Sequence, residues 1–364
     1  MQILKKSKSL LKKGYHYYKF YTDTKNSFPT GHHTSFAKIH FSNFLLNSDM
    51  GRFSFILCQH FHFSGFKIVL EVTPRFFLRE APYKLLLQAQ DYELVRKLDT
   101  DENTIWLHIP GAPPKAIKIL HGYQYIHPVA EGWYFPFTLH PRFYKERLSP
   151  TLFLRHRQSA KKIRIFFAGN TDSTLYSRDT IRTEFNMLPR ADIIDYLKKK
   201  SAVDPRISFI SHTDRLYEWL QKGNAGDKVV ISDARTPDTE WLPILAQTCF
   251  FISLPGVRMP WSHNACEAMA MGSIPIIPYA HLFYPPLEHM KTCISYNTLE
   301  DFKQAIETAL QMKKEQMAQM RKNVADYYDT YLSTESIIKK ITDFSKSSGK
   351  NMTLVIPYLE EPKT

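Results

Sequence analysis

The sequence is poor in cysteine: only four occur among its 364 residues. They form no Cys-x-x-Cys pair and accompany no clustered histidines, so the sequence predicts neither a zinc site nor a disulfide framework. Such a chain is typical of a reducing compartment. The four residues are Cys58, Cys249, Cys266 and Cys293.

Long apolar segments are also missing. A transmembrane helix needs a run of about 18 or more apolar residues, and the sequence contains none. Its first residues lack the charged, apolar and small-residue regions of a signal peptide. We therefore expect a cytoplasmic protein without a membrane-spanning anchor.

Acidic residues are outnumbered. The chain has 48 Lys and Arg against 35 Asp and Glu, which gives a formal net charge of +13 and a pI near 9.3. This charge favours anionic partners such as nucleotides, anionic lipids or nucleic acid, without choosing between them. No recognised nucleic-acid module occurs, so nucleic acid is not the partner we expect.

Residues 1–30 form a basic segment. Its lysines are interleaved with leucine, tyrosine and phenylalanine between Met1 and Tyr21. An amphipathic helix of this composition can lie on an anionic bilayer, with lysines near the headgroups and aromatic rings at the interface. This predicts peripheral association with the inner face of a membrane. A solvated, partly frayed first helix is the alternative.

The most informative stretch runs from Phe250 to Tyr279. Phe250 to Leu254 is a short apolar run that Pro255-Gly256 ends, as expected where a buried parallel strand meets a loop. Ser262 stands where an N-cap belongs, before a helix predicted over 263–271. Gly272 supplies its C-terminal stop, and 273–278 predicts a second buried strand.

The loop and first helical turn of such a strand-helix-strand unit face a ligand crevice, where free N–H groups attract phosphate. Arg258, Ser262, His263 and Asn264 fall there. Glu267 lies one turn further along the same side, where its carboxylate can accept two ribose hydroxyls. The alternatives are an ordinary buried helix crossing and, for Glu267, a surface carboxylate.

These features, ending in Glu267-Ala268 and Gly272-Ser273-Ile274-Pro275-Ile276-Ile277, resemble the donor-site signature of two-domain GT-B glycosyltransferases, and most of all the exostosin family. The resemblance is clearest over residues 162–331. It implies an α/β chain with two Rossmann-like domains of mainly parallel sheet that face a central cleft. It also implies that Glu267 helps bind the donor nucleotide. Exostosin-like proteins often carry arginine where this chain has Asn264, and Arg258 is the candidate replacement.

The second domain is predicted to open with a strand over 163–168. Gly169 and Asn170 follow it, and a glycine there permits close approach of backbone to ligand. Arg178 and Arg182 share a helical face beyond the loop. The resemblance includes nearby arginines, and either one can neutralise a leaving diphosphate. A surface salt bridge is the competing explanation.

The first domain is predicted from a strand over 36–41, a helix over 52–64 and a strand over 66–72. Asp49 lies in the loop that would point into the cleft and is the candidate catalytic base for an attacking hydroxyl. Its alternative role is the N-cap of the following helix. Alternative bases are four histidines that titrate near neutrality. They are His32, His33, His60 and His62.

The predicted organisation has four parts. The basic segment 1–30 precedes an acceptor-side Rossmann-like domain at 31–150, and a nucleotide-sugar-binding Rossmann-like domain follows at 151–335. The end of the last helix and a tail occupy 336–364. Residues 83–98 are predicted to be helical.

The sequence thus predicts a glycosyltransferase that moves a sugar from a nucleotide-sugar donor to a hydroxyl of a glycan or lipid-linked acceptor, in surface polysaccharide or glycoconjugate synthesis. We expect no cofactor besides the donor and no obligatory metal, because we assume that no Asp-x-Asp motif is present and because cationic side chains can serve the diphosphate. Two alternatives remain. One is another GT-B enzyme, such as a sugar epimerase or a polyol-phosphate transferase. The other is a non-enzymatic basic protein that binds membrane or nucleic acid.

Overall fold

The structure is a computed structural model that describes most of the chain. The described residues are 14–15, 17–25, 36–40, 51–74, 92–97, 104–107, 116–121, 132–136, 138–144, 147–176, 179–221, 228–257, 259–346 and 352–356. The chain divides into two compact units, one of residues 1–135 with 337–364 and one of residues 136–336. The sequence had suggested divisions at 150 and 335.

The strands, in chain order, are Phe36–His40 (β1), Lys67–Glu71 (β2), Glu93–Val95 (β3), Thr104–Leu107 (β4), Ala116–His121 (β5), Gly132–Tyr134 (β6), Ile163–Ala168 (β7), Ile207–Ile210 (β8), Val229–Ser232 (β9), Thr248–Ile252 (β10), Ile274–Ile277 (β11), Ile294–Ser295 (β12) and Met352–Ile356 (β13). The α-helices are Arg52–Phe63 (α1), Pro150–Arg157 (α2), Ser173–Tyr176 (α3), Thr180–Phe185 (α4), Arg190–Ser201 (α5), Thr213–Gln221 (α6), Asp238–Ala246 (α7), His263–Ala270 (α8), Leu299–Gln311 (α9), Lys314–Tyr327 (α10) and Thr334–Lys346 (α11). One π-helical turn, Tyr328–Leu332, joins α10 to the last helix.

The first unit is built on a seven-stranded sheet in the order β3-β2-β1-β4-β5-β13-β6, and the pairings of its described strands are parallel. Helix α1 connects β1 to β2. Its two boundaries carry glycines with positive φ, Gly51 at 79° and Gly65 at 86°, a conformation that side chains with a Cβ rarely adopt. Phe55 and Phe61 of this helix are fully buried, so its apolar face supplies the core on which the sheet packs.

The last strand of the chain lies inside the first sheet. β13 pairs with β5 on one side and β6 on the other, and Leu354, Val355 and Ile356 are fully buried. The sequence had suggested a tail with an apolar island here. The island is a strand because three consecutive large apolar residues fit a position that is covered on both faces of a parallel sheet.

One predicted helix in the first unit is wrong at its end. Residues 83–98 were expected to be helical, whereas residues 93–95 form strand β3 and pair in parallel with β2. Val95 is fully buried there, and pairing along the edge of the sheet overrides the local helical pattern. The remainder of that prediction, from 83 to 91, lies outside the described residues.

The second unit contains a six-stranded sheet in the order β12-β11-β10-β7-β9-β8. The pairings of the described strands are parallel here too. All six residues of β7 and all five of β10 are buried, as expected for central strands that helices cover on both faces. The prediction of an α/β chain with two Rossmann-like units of mainly parallel sheet is confirmed. That they face a common cleft stays a prediction.

Local signals fix the helices that follow the second sheet. Thr298 and Asp301 form a reciprocal capping box at the start of α9, which satisfies two backbone N–H groups that the helix leaves without partners. Buried Arg164 donates to the carbonyls of Ala309, Leu310 and Met312 at the other end of that helix. A cation at a helix C-terminus also complements the helix dipole.

Two further findings concern membranes and cysteines. None of the helices in the described parts of the chain is long and apolar enough to cross a membrane. Cys58, Cys249, Cys266 and Cys293 are all buried, and none of them forms a disulfide.

The position of β13 predicts how the chain responds to truncation. A chain that stops at residue 351 loses the partner of both β5 and β6, so we expect the first unit to lose its cooperative unfolding transition. A chain that stops at residue 356 keeps β13 and is the matched control. Thermal unfolding followed by circular dichroism compares the two. Equal melting of both truncated chains would show that β13 does not stabilise the sheet.

Candidate functional site

The second sheet has one topological switch point. From β7 the chain runs to β8 and β9 on one side of that strand, and from β10 it runs to β11 and β12 on the other. In open parallel sheets, ligands bind in the crevice outside the carboxyl ends of the strands at such a point. Here the crevice lies where β7 and β10 end, between the loop of residues 169–172 and the loop that begins at residue 253.

The loop after β7 is held by its own hydrogen bonds. Gly169 N–H donates to the carbonyl of Ser232 at 3.0 Å, and Asn170 Oδ1 accepts from the N–H of Asp172 at 2.8 Å. Asp172 accepts from both the hydroxyl and the N–H of Thr174. These bonds hold the pKa of Asp172 below its usual value. The conformation of the loop therefore depends both on residues of the loop and on the end of β9.

A buried arginine joins the two loops. Arg190 is 7% exposed, and its guanidinium donates to the carbonyls of Pro255 at 3.0 Å, Leu254 at 3.4 Å and Asn170 at 3.4 Å. It also lies over the ring of Tyr176, 3.9 Å from the centroid. No acidic side chain in the described residues forms an ion pair with it, and burial lowers its pKa.

Sequence reasoning missed Arg190. It opens α5, directly after Pro189, and nothing in its local sequence pattern separates it from Arg178 and Arg182, which we did single out. The available signal was a proline followed by arginine, because proline is common at the start of helices and so indicates that the arginine lies in a first helical turn.

Helix α8 begins at the other side of the crevice. Ser262 occupies the N-cap position, but its side chain makes no capping hydrogen bond, which corrects the capping role expected from the sequence. Asn264 donates from Nδ2 to the carbonyl of Ala168 at 3.0 Å and so ties the first turn of α8 to the end of β7. His263 contacts the carbonyl of Thr138 through Nδ1 at 2.9 Å, and its ring lies edge-on to that of His140.

Glu267 is enclosed within the second unit. It is 1% exposed. Its Oε1 accepts from the N–H of His140 at 2.9 Å, and its Oε2 accepts from Nε1–H of Trp241. The predicted spacing is right, since Glu267 and His263 are both buried on one side of α8. That side packs against residues 138–141 and α7, so the carboxylate is occupied by groups of the chain itself and not open to a ribose.

The structure places the other predicted residues as follows. Arg182 is on the exposed side of α4 and pairs with Asp192 at 2.5 Å, which is the surface salt bridge considered as its alternative role. Asp49, Arg178 and Arg258 lie outside the described residues, as do His32 and His33. Roles for these five stay predictions. Of the predicted donor-site residues, the structure brings Gly169, Asn170, Ser262, His263 and Asn264 together around the ends of β7 and β10.

The two remaining candidate histidines differ in exposure. His60 is fully buried in α1 and bonds to the carbonyl of Ile56 through Nδ1 at 2.8 Å. Burial lowers its pKa from 6.5 to about 4, while the Ile56 bond opposes that shift. A neutral core histidine is the role this environment supports. His62, two positions on, is exposed.

An open cavity of about 680 Å³ lies at the carboxyl ends of β7 and β9. Two of its side chains, Lys198 and Arg235, are cationic and exposed. Two are acidic, and both accept hydrogen bonds from the loop: Asp172 from Thr174, and Asp233 from the hydroxyl of Thr171 at 3.1 Å. The cavity is lined by Gly169, Asn170, Thr171, Asp172, Ser173, Lys198, Asp233, Ala234 and Arg235.

Lys198 and Arg235 are the groups of this cavity that can attract an anion. Neither forms an ion pair with the described residues. Lys198 Nζ lies 3.5 Å from the carbonyl of Thr171 and near the ring of Phe209, and its charge also contributes to the lowered pKa of Asp172. Lysine and arginine donate charge-assisted hydrogen bonds to diphosphate oxygens. The cavity can therefore hold a ligand with a negatively charged part and a polar part.

Metal ions are a separate question. In the described ranges no group of three or more His, Cys, Asp or Glu is placed to hold a metal ion. The expectation of a metal-independent enzyme had also assumed that the sequence contains no Asp-x-Asp motif. That assumption is wrong, because Asp99-Thr100-Asp101 is one. These three residues lie outside the described part of the chain, and metal independence stays a prediction.

This chain is similar to several solved structures. No protein-family model matches the chain, and no curated protein sequence does. The structures it is similar to include Anabaena Alr3699/HepE in complex with UDP, at 11% identity over 85% of this chain and 98% of that one, with a TM-score of 0.43. An alpha-glucosyltransferase in complex with UDP and DNA containing an HMU base has 12% identity over 86% and 100%, with a TM-score of 0.41. A glycosyltransferase from Rickettsia africae has 10% identity over 86% and 98%, with a TM-score of 0.39.

At these values the similarity assigns no function to this chain, and we argue function from its own residues. Membership of the exostosin family stays a prediction.

The enclosure of Glu267 leads to a test of its role. Glutamine keeps the shape of the side chain but turns one acceptor into an N–H₂ donor, which then opposes the N–H of His140 or the Nε1–H of Trp241. We expect Glu267→Gln to destabilise the second unit by about 1–3 kcal/mol and to shift tryptophan fluorescence. Exposed Glu240→Gln is the control. An unchanged unfolding midpoint together with lost nucleotide binding would instead support a ligand-binding carboxylate.

Buried His60 predicts a pH dependence of stability. Its folded pKa is depressed, so between about 4 and 6.5 the unfolded state binds the proton more readily, and stability falls as pH falls through that window. The contribution is up to about 3 kcal/mol. Chemical unfolding of His60→Leu between pH 4 and pH 7 should show a shallower dependence than the parent chain. Exposed His62→Leu should keep the parent slope, and a parent slope in His60→Leu would contradict the assignment.

Proposed function

We propose that the chain is a glycosyltransferase that holds a nucleotide-sugar donor in the crevice of its second unit. The observation that carries the proposal is the cavity at the carboxyl ends of β7 and β9, next to the switch point between β7 and β10, where Lys198 and Arg235 have no ion-pair partner in the described residues. The acids beside them are engaged in holding the loop. A nucleoside diphosphate sugar combines a diphosphate for the cations with a polar sugar and ribose for the loop atoms.

The loop geometry supports this class of ligand. The exposed loop atoms after β7 come from Gly169, Asn170 and Asp172, which are short and polar, so a ligand can approach the backbone closely. Arg190 and Asn264 fix the distance between this loop and the start of α8. A donor binds more tightly to a site whose loops are already ordered, because less conformational entropy is lost on binding.

The proposed reaction is a displacement at the anomeric carbon of the donor sugar. The bond from that carbon to the diphosphate oxygen breaks, the acceptor hydroxyl oxygen forms the new bond, and the hydroxyl proton passes to a base. Lys198 and Arg235 offset the charge that develops on the diphosphate. Asp49 is the proposed base on sequence grounds. The acceptor is proposed to be a glycan or a lipid-linked sugar, in surface polysaccharide or glycoconjugate synthesis.

Ligand-dependent stability tests the donor class, since a ligand that binds only the folded chain raises its melting temperature. The purified chain is screened against UDP, GDP, CMP and their sugar conjugates. At about 100 times the dissociation constant the gain is about 2.7 kcal/mol, which corresponds to about 5–10 °C for a unit of this size. We expect one nucleotide to produce such a shift.

Paired variants locate the site. Lys198→Ala and Arg235→Ala should each reduce the nucleotide-induced shift while leaving the melting temperature of the free chain unchanged. Lys199→Ala removes the same charge from an exposed neighbour on α5 and should keep the full shift. No shift with any nucleotide in a folded sample contradicts a donor site. An equal loss of the nucleotide-induced shift in Lys199→Ala would show that the variants act through the net charge of the chain and not through the cavity.

A further inference from the structure

Four tyrosines near the N-terminus are displayed to solvent. Tyr15, Tyr17, Tyr18 and Tyr21 are 56%, 55%, 66% and 58% exposed, and we call them the tyrosine surface. Elsewhere in the described residues, the exposed large hydrophobic side chains are Leu154, Val203 and Tyr331. Clustered exposed apolar groups of this kind mark an interaction surface more often than scattered ones do.

The tyrosine surface is presented by helical backbone. Residues 14–15 and 17–23 are helical. At about 100° per residue, Tyr17, Tyr18 and Tyr21 fall within an arc of about 100°. Tyr15 is linked to the same helix by Lys19, whose ammonium lies 5.9 Å from its ring centroid. Tyr17, Tyr18 and Tyr21 therefore project as a group, and Tyr15 lies about 60° beyond Tyr18 by the same count.

The end of this helix is anchored to the first unit. Phe20 and Thr24 are buried, and Lys25 pairs with the β3 edge through its N–H to the carbonyl of Leu94 at 2.9 Å. Arg96 donates to the hydroxyl of Thr24 at 3.1 Å and lies over the ring of Tyr21 at 4.9 Å. This anchoring fixes which side of the helix faces outward.

The sequence that carries this surface is mainly basic. Six lysines and no acidic residue occur before Asp23, and Asp23 is the acid at the end of the helix. Arg96 adds a guanidinium beside Tyr21, and the acid nearest to it on β3, Glu93, is paired with Lys25 and Lys67. Lysine near an anionic bilayer contributes about 1 kcal/mol per residue, and tyrosine rings favour the boundary between apolar chains and water.

We propose that the tyrosine surface, together with Lys19 and the lysines that precede it in the sequence, forms a docking site for an anionic lipid bilayer. The rings enter the interfacial region while their hydroxyls stay hydrated, and the ammonium groups lie at the headgroup phosphates. The positive charge favours an anionic partner, and the apolar area of the rings favours a bilayer over an anionic partner that is polar throughout. The docking site is in the first unit and does not depend on the proposed glycosyl transfer.

Vesicle co-sedimentation of the full chain tests this without any donor present. Vesicles of phosphatidylcholine are compared with vesicles that also contain phosphatidylglycerol, at low and at physiological salt. We expect at least about tenfold tighter binding to the anionic vesicles, weakening with salt because the charges are exposed. The triple variant Tyr15→Ser/Tyr17→Ser/Tyr18→Ser should lose at least about tenfold, and Lys19→Gln should weaken binding less.

Exposed Tyr331→Ser is the matched control and should bind as the parent chain does. The triple variant keeps Tyr21, which contacts Arg96, so the anchor of the helix is retained, and its circular dichroism spectrum checks that it is folded. Three results would overturn the proposal. The first is equal binding to neutral and to anionic vesicles, and the second is unchanged vesicle binding by the triple variant. The third is that the parent chain prefers single-stranded oligonucleotide or self-association to anionic vesicles and that the triple variant abolishes this preference.

Discussion

The guanidinium of Arg190 holds the crevice of the second unit together. Three of its N–H groups are used by backbone carbonyls from the two loops that leave β7 and β10. A buried charge is costly unless hydrogen bonds replace its water, and these carbonyls do so without a carboxylate. The positions of Gly169, Asn170 and the start of α8 all depend on that contact. Loop geometry at a switch point is thus fixed by a cation that a ligand does not need to touch.

Glu267 also links separate elements of the second unit through hydrogen bonds. Its two oxygens connect a loop, helix α7 and helix α8 of the same unit. A carboxylate with partners on both oxygens is rigid, because breaking either bond leaves a buried polar group without a partner. Glu267, which the sequence analysis assigned to the donor site, therefore has a structural role that does not depend on a ligand. It orients the helix whose first turn, with Asn264, meets the end of β7.

Much of the fold follows from local sequence. The strand at 163–168 is apolar apart from Arg164, the strand at 229–232 is apolar apart from Ser232, α1 is bracketed by two glycines, and α9 carries its own capping box. Each could be predicted from a few neighbouring residues. The environment of Glu267 could not. Its partners are 127 and 26 positions away, and Arg190 contacts carbonyls 64 and 65 positions away. Contacts at such separations depend on the order of the strands, which periodicity does not specify.

The place of β13 in the first sheet has a consequence for synthesis on the ribosome. Residues 136–336 are synthesised before residues 352–356, so the second unit has its complete sequence before the first unit does. Until the last strand arrives, β5 and β6 present unpaired backbone edges, which are templates for wrong pairing. Emergence of β13, and not emergence of the N-terminus, is the step that allows the first unit to close its sheet.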